Sequence, residues 1–472
     1  MIREVDVAII GAGSAGLFAM SQVKRYTKNF VLIDGGELGT TCARVGCMPS
    51  KVMIQIAEDF HRQSIFEREG IEGGEHLSVN HEDAMEHVQD LRDTFVDLTL
   101  GNSIDIMPEE QLIESYVKFI DEHTLETTDG DTIKAGKIII ATGSSPIVPE
   151  KWKAFGDKII TTDEIFELET LPESMAVIGL GVIGLELGQA LNRLDVKVTG
   201  IDKQTCIGGI TDDEVNQVAI QTIGKEMPLW LGHAADIQLL DNGKLQISAG
   251  DNQVEVDTAL VSMGRSPNIN PLNLAATGVA LQDNGLPEFN SHTLQLGDSD
   301  IYIAGDCNAD RPILHEAGFE GRVAGYNAMQ DNAMAFRHKT PLAITFSDPN
   351  IVMVGQQLNE LDADAIVTGE VKLAPVGRAL IMGKNRGLIH IYGNKADGKI
   401  LGACMFSVKG ENLAHLLCWA IEMNMSVYDL LRMPFYHPTI EEALQAALYN
   451  LKSKLELDEP EWPIEIQPVD VA

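Results

Sequence analysis

A chain of 472 residues with a formal net charge of -35 repels nucleic-acid phosphates and anionic lipid, so neither a nucleic acid nor a membrane is an expected partner. Its length allows about three domains, and 44% hydrophobic content with 43 glycines fits a globular α/β protein. No run approaches the roughly 20 apolar residues of a membrane span, and Met1 leads into an apolar strand without a leader pattern, which points to the cytoplasm.

The first element is a buried strand over 6–10, Asp-Val-Ala-Ile-Ile. Gly11-Ala-Gly-Ser-Ala-Gly16 follows, then a helical run, then a strand over 30–34 ending in Asp34, 23 positions after Gly11. In such a strand–turn–helix–strand unit the first glycine makes the tight turn and the second lets backbone approach a pyrophosphate. The third allows close helix–strand packing, and the helix N-terminus stabilises the phosphate charge. A carboxylate at Asp34 can accept from a ribose diol.

Cys42 and Cys47 come next, in Thr-Cys-Ala-Arg-Val-Gly-Cys-Met-Pro-Ser-Lys from Thr41 to Lys51. In a regular helix their Cα atoms would lie roughly 8–9 Å apart, whereas a disulfide wants about 4.4–6.8 Å. Either the two never bond or the segment leaves regular helix, and Gly46 and Pro49 permit the distortion. The pair is a redox centre or two thiols filling core space. Cys206, Cys307, Cys404 and Cys418 are scattered, as in a reducing compartment, and no Cys/His cluster has zinc-ligand spacing, so no metal centre is expected.

Helices are predicted over 51–66 and 80–100, the second with apolar Met85, Val88, Leu91, Phe95 and Leu98. Residues 116–133 alternate as short strands with a hairpin turn at Asp129-Gly130, and 137–143 form a buried strand ending at Thr142-Gly143. Pro146, Pro149 and Pro172 bracket a connection. The glycine unit then recurs as a strand over 175–178, Gly179-Leu-Gly-Val-Ile-Gly184, and a strand over 196–202 ending in Asp202, again 23 positions on. Two such units in one chain point to two dinucleotide sites. An acid at Asp202 disfavours a 2′-phosphate and so selects NAD over NADP, a choice that the neighbouring Lys203 weakens. Residues 300–306 are a strand with Asp306 at its C-terminal edge, where ligands sit in a parallel sheet. From about Lys339 the chain is strand-rich to Phe406, then helical over 412–425, then Phe435-Tyr-His-Pro-Thr-Ile-Glu-Glu442 and a final helix.

Taken in order, these motifs resemble the flavin- and NAD-dependent disulfide oxidoreductases. The resemblance rests on Gly11 to Gly16 with Asp34, Cys42 to Lys51, Ala141-Thr-Gly143, Gly179 to Gly188, Gly264-Arg-Ser-Pro-Asn268, Gly305-Asp306, Ser347-Asp-Pro349 and His437 to Glu442. It implies an α/β architecture of two Rossmann-like dinucleotide-binding domains, for FAD and NAD, plus an α+β C-terminal dimerisation domain. The implied division is 1–150 and 271–338 for FAD, 151–270 for NAD, and 339–472 for the interface of a homodimer.

Carried onto this sequence, the family's FAD contacts fall on Gly11, Gly13, Ser14, Ala15, Gly16, Asp34, Thr41, Lys51, Thr142, Gly143, Gly305 and Asp306. The NAD contacts fall on Gly179, Gly181, Gly184, Glu186, Asp202 and Gly264. The resemblance makes Cys42 the sulfur that exchanges with substrate and Cys47 the one against the flavin, pairs Lys51 with Glu186, and brings His437 from the other subunit as base. A histidine's ordinary pKa near 6.5 suits that role, and Glu442 can orient the imidazole. Pro-Ser-Lys after Cys47 is similar to the lipoamide and mercuric branches. The lipoamide branch implies a lipoyl-bearing acyltransferase or carrier protein as partner. A related reductase of another substrate, or a non-catalytic flavoprotein subunit, are the alternatives. Departures from the family pattern are Arg44 for Asn, Thr40 for Gly, Asp34 for Glu and Phe435 for His.

Overall fold

The computed structural model describes residues 2–457, 462–466 and 469; the outermost ends of the predicted first and last segments lie outside them. The first sheet is built on wholly buried apolar runs, as strands covered on both faces require. Ile2–Ile10 lies parallel between Phe30–Ile33 and Thr132–Ile140, with Leu112–Ile113 beyond Phe30–Ile33. Along its other edge Thr132–Ile140 takes Thr124–Thr127 antiparallel at one end and Ile301–Ile303 parallel at the other. Thr124–Thr127 and Thr132–Ile140 form the hairpin around Gly130, whose φ is +83°.

A second, five-stranded parallel sheet runs Leu229–Leu231, Lys197–Asp202, Ser174–Ile178, Thr258–Val261, Ile159–Ile160. An antiparallel meander, Asp236–Leu239, Leu245–Ala249 and Asn252–Val256, packs beside it. The third sheet is antiparallel, in the order Leu342–Thr345, Asn350–Gly355, Ile400–Ser407, Leu388–Asn394, Ile366–Lys372. Helices Gly410–Glu422 and Glu442–Lys452 bury Leu413, Leu417, Leu444 and Leu448 in the same core as its Ile389, Ile391 and Met405.

The predicted helix over 51–66 begins earlier, at Cys47, and ends at His61. Pro49 is tolerated because it stands in the first turn, where its missing N–H has no intrahelical partner. The second helix is His81–Gly101, and the Asn80 side chain caps it by accepting from Glu82 N at 3.1 Å. Met85 and Val88 are buried, but Leu98 is 57% exposed, against its predicted place on the apolar face. Thirteen residues at about 100° each turn Leu98 roughly 140° away from Met85.

The first sheet packs two cores of its own, while one continuous core joins the second and third sheets through the helices that follow Gly46 and Asn80. Val52, Met53 and Ala57 of Cys47–His61 and Met85 and Val88 of His81–Gly101 belong to it. So do Leu185 and Leu191 of helix Val182–Arg193, and Ile351, Leu388 and Tyr392 of the third sheet. Among the described residues no helix is long and apolar enough to cross a membrane.

A candidate dithiol site beside two dinucleotide cradles

The two glycine turns have the same geometry. Gly11 and Gly179 take φ of +107° and +97°. A Cβ there would lie 2.3 Å from the Ala141 carbonyl oxygen and 2.4 Å from that of Ser262. At Gly16 and Gly184 a Cβ would lie 1.9 Å from the carbonyl oxygens of Gly11 and Gly179. The middle glycines differ: a Cβ on Gly13 or Gly181 would meet nothing within 4 Å. Both are helix N-caps without a side-chain cap, so the first amides of Ser14–Val23 and Val182–Arg193 remain available to an anion.

The two acids match as well. Asp34 accepts from Ala12 N at 2.6 Å and Gly36 N at 2.8 Å; Asp202 accepts from Leu180 N at 2.6 Å and Gln204 N at 2.8 Å.

Each turn opens on a cavity. The first, of about 1050 Å³, is lined by Gly11, Gly13, Asp34, Thr41, Thr142 and Gly143 from the predicted FAD set, and also by Thr40, Arg44, Ser144 and Arg265. The buried Thr142 Oγ1 has no hydrogen-bond partner among the described residues. That orphaned hydroxyl, the open space over Gly13 and the free helix amides fit a dinucleotide bound there. The second cavity, of about 540 Å³, is lined by Gly179, Gly181, Asp202, Lys203 and Gly264. Ser14, Ala15 and Gly16 begin the first helix and line neither cavity. Gly184 likewise packs helix on strand.

Between the cradles the cysteine stretch leaves regular helix. Thr41–Val45 stops at Gly46, whose φ, ψ are -138°, -117°, and a new helix starts at Cys47. A Cβ on Gly46 would lie 2.9 Å from Thr41 O and 3.3 Å from Cys42 Cα, so the chain closes on itself there only with glycine. The break brings the two thiols within hydrogen-bond reach of each other. Both are free in this structure, the reduced form of the pair; Cys47 is exposed and Cys42 half-buried. The hydrogen bond it makes to Cys47, together with burial, pushes the Cys42 thiol far up. Cys47 is lowered to about 7, first by the hydrogen bond from Cys42 and then by the Lys51 charge, against the opposing effect of burial. One sulfur keeps its proton and the other is poised as thiolate.

Thr40 enters this segment with φ +69°, unusual for a β-branched residue, and its Oγ1 accepts from Ala43 N at 3.3 Å. Arg44 turns away from the thiols to form an ion pair with Glu37, beside the larger cavity.

Lys51 and Glu186 meet as predicted. Lys51 Nζ lies 2.7 Å from Glu186 Oε2 and 4.7 Å from the Phe346 ring centroid. The buried Glu186 also accepts from Phe346 N at 2.7 Å. Asp306 does not cap the next long helix, whose N-cap is Ile313; it opens the 3-10 turn Asp306–Asn308. Its Oδ2 accepts from Ser144 Oγ at 2.7 Å, and Arg265 donates to Ser144 Oγ and O at 2.8 and 2.6 Å. Gly305 N donates to Glu320 at 2.7 Å, and burial pushes that carboxyl up to about 7. Sequence reasoning assigned no role to Ser144, Arg265, Glu320 or Phe346. Of these, only Arg265 stood in a quoted motif.

His437 and Glu442 are joined, Nδ1 to Oε1, at 2.9 Å, and Glu442 also accepts from Thr439 N at 3.0 Å. The imidazole is 81% exposed, and no hydrogen bond among the described residues connects it to Cys42 or Cys47 within this chain. Cys307 and Cys404 are buried; Cys307 donates weakly to Ala304 O at 3.3 Å, and burial pushes its thiol up to about 11, as for a packing residue.

Residues 5–330 match the family model described as pyridine nucleotide-disulphide oxidoreductase, and 342–448 match that family's dimerisation domain. A dihydrolipoyl dehydrogenase of Geobacillus stearothermophilus is 27% identical, covering 94% of this chain and 96% of its own. A mercuric reductase of Staphylococcus aureus is also 27% identical, over 94% of this chain and 82% of its own. Among solved structures, the Escherichia coli HOCl-induced flavoprotein disulfide reductase RclA, as its Cu(II) complex, superposes with TM-score 0.82 at 20% identity. It covers 95% of this chain and 99% of its own. Mycobacterium tuberculosis LpdA superposes with TM-score 0.82 at 22% identity, covering 95% and 100%. FAD and a pyridine nucleotide, NAD(P), are the cofactors.

Proposed function

Because the chain belongs to the pyridine nucleotide-disulphide oxidoreductases, we propose that it is a dihydrolipoyl dehydrogenase. It oxidises the dihydrolipoyl arm of an acyltransferase or carrier protein through Cys42 and Cys47. The observation that carries this reading is the polarised dithiol across the Gly46 break, one thiol pushed up and its neighbour lowered to about 7. Residues 1–150 and 271–338 form the FAD domain, 151–270 the NAD domain, and 339–472 the interface of a homodimer.

The working cycle starts from the Cys42–Cys47 disulfide. His437 of the partner subunit takes the proton of the incoming thiol at Nε2, while Glu442 holds Nδ1–H and stabilises the imidazolium. The substrate thiolate attacks Cys42 Sγ, and Cys47 leaves as thiolate, stabilised by the Lys51 charge beside it. The second substrate thiol then attacks the sulfur bonded to Cys42, its proton passing to the departing Cys42 sulfur while the first proton stays on the imidazolium opposite the Cys47 thiolate. Substrate departs as its cyclic disulfide, and the pair is left as dithiol with two electrons and the proton on Cys42. Lys51 stabilises the Cys47 thiolate, and Glu186 holds Lys51 in place. Bound FAD supplies the two-electron acceptor between this dithiol and the nicotinamide. Asp202 favours NAD, with Lys203 on the same cavity wall as the opposing charge.

Steady-state turnover tests the assignment. Dihydrolipoamide with NAD should be turned over faster than oxidised glutathione or Hg(II) with NADH or NADPH. Faster turnover of glutathione or mercuric ion would overturn the substrate and leave the dithiol chemistry intact.

A further inference from the structure

Far along the chain from the dithiol, three acids and a histidine converge where the second module meets the third sheet. His390 lies on Leu388–Asn394, paired with Glu370 of Ile366–Lys372 in register. Asp212 is the N-cap of helix Asp213–Ile223, which also carries Glu214. The imidazole is 5% exposed and Asp212 is 2% exposed. Asp212 Oδ2 lies 2.7 Å from both His390 Nδ1 and Tyr392 Oη. A carboxylate only accepts, so Nδ1 carries a proton toward Asp212, and Nε2 is the ring atom left to face a ligand.

That atom is buried and has no hydrogen-bond partner among the described residues. Two carboxylate oxygens face it, Glu214 Oε2 at 3.6 Å and Glu370 Oε2 at 3.8 Å, both too far for a hydrogen bond. The three atoms lie within 4.8 Å of one another. Ligand atoms about 2.0–2.2 Å from a tetrahedral zinc ion stand roughly 3.3–3.6 Å apart, so small rotations of two carboxylates complete the set. Both glutamates reach solvent, which leaves a coordination position for water.

We propose that His390 Nε2, Glu214 and Glu370 form a binding site for a divalent transition-metal ion of the zinc class, fastening helix Asp213–Ile223 to the C-terminal sheet. The donor set is one imidazole and two carboxylates, suited to such ions over Mg²⁺, which avoids nitrogen. Asp212 is the outer partner that fixes the imidazole tautomer, as metal-bound histidines require. The buried Nε2 makes no hydrogen bond among the described residues and has two carboxylates converging on it, the arrangement a bound cation would complete. The three ligands come from separate elements, so no spacing in the sequence marks them.

The test uses metal-stripped, fully oxidised holoenzyme, in which the Cys42–Cys47 pair is a disulfide and cannot take the ion. Calorimetric titration with Zn²⁺ should give one site per chain, and Zn²⁺ should raise the melting temperature while Mg²⁺ should not. Glu214→Gln and Glu370→Gln should each weaken zinc binding by about tenfold or more and remove the thermal shift, with the metal-free melting temperature unchanged for the exposed Glu214. Absence of zinc binding by the unsubstituted protein, or binding equal in both variants, would overturn the site.

Discussion

Replacing Cys42 by Ala removes the largest influence that lowers Cys47 while leaving Lys51 and its charge in place. Cys47 stands at about 7 against an ordinary 9.0, and the hydrogen bond from Cys42 outweighs the Lys51 contribution. Half of Cys47 is then thiolate near neutrality in the reduced protein. Losing the largest of the lowering influences raises the value, so at pH 7 the thiolate fraction falls well below half. Without bound FAD, Cys47 is exposed and Cys42 only half-buried, so the substitution opens little space and in the FAD-stripped protein the reagent reaches its target. Iodoacetamide alkylation of Cys47, followed by mass spectrometry from pH 5 to 10, reads the titration directly. The midpoint should move upward from about 7, toward the ordinary 9.0, in Cys42→Ala. An unchanged midpoint would refute the polarised pair and with it the division of labour between the two sulfurs.

Gly13→Ala should lose FAD on gel filtration yet match the FAD-stripped unsubstituted protein in stability, because its Cβ enters open cavity, whereas Gly16→Ala should fail to fold, because its Cβ meets the Gly11 carbonyl at 1.9 Å. Equal stability of the two would contradict the cradle. Thr40→Gly should be more stable to urea than Thr40→Val by about 1 kcal/mol or more. Valine keeps the φ of +69° and loses the hydroxyl cap, while glycine relieves the strain. The buried Glu320, raised to about 7, binds a proton in the folded state that the unfolded chain has lost above its ordinary 4.5. Stability should therefore fall as pH rises from 4.5 to 7, by as much as about 3 kcal/mol. Glu320→Gln should flatten that slope, and an unaltered slope in denaturant melts would count against it.

The sequence displays what is local and hides what is assembled from a distance. Both glycine turns and their acids were legible because strand, turn and helix are contiguous, and Asp34 and Asp202 accept from matching amides. The spacing of Cys42 and Cys47 allows a bond only where the helix breaks between them, and it breaks at Gly46. Arg44 had no assignable role from its place between the cysteines; its ion pair with Glu37 depends on how the preceding loop folds back. Ser144 with Asp306, Phe346 with Glu186, and Asp212 with His390 each join residues more than 150 positions apart. Such pairs follow from sheet order and the shared core, which no window of sequence contains. Leu98 shows the reverse error: apolar spacing that looked helical drifted off the buried face.

On the function proposed above, Cys42 and Cys47 store a pair of electrons in addition to the flavin. Anaerobic titration of the holoenzyme with dithionite or NADH counts them. Uptake should reach two electrons for the FAD and two more for the cysteine pair in each chain, and Cys47→Ser should take only the flavin's two. If the unsubstituted protein also stops at the flavin's two, the pair is not a redox centre and the account fails.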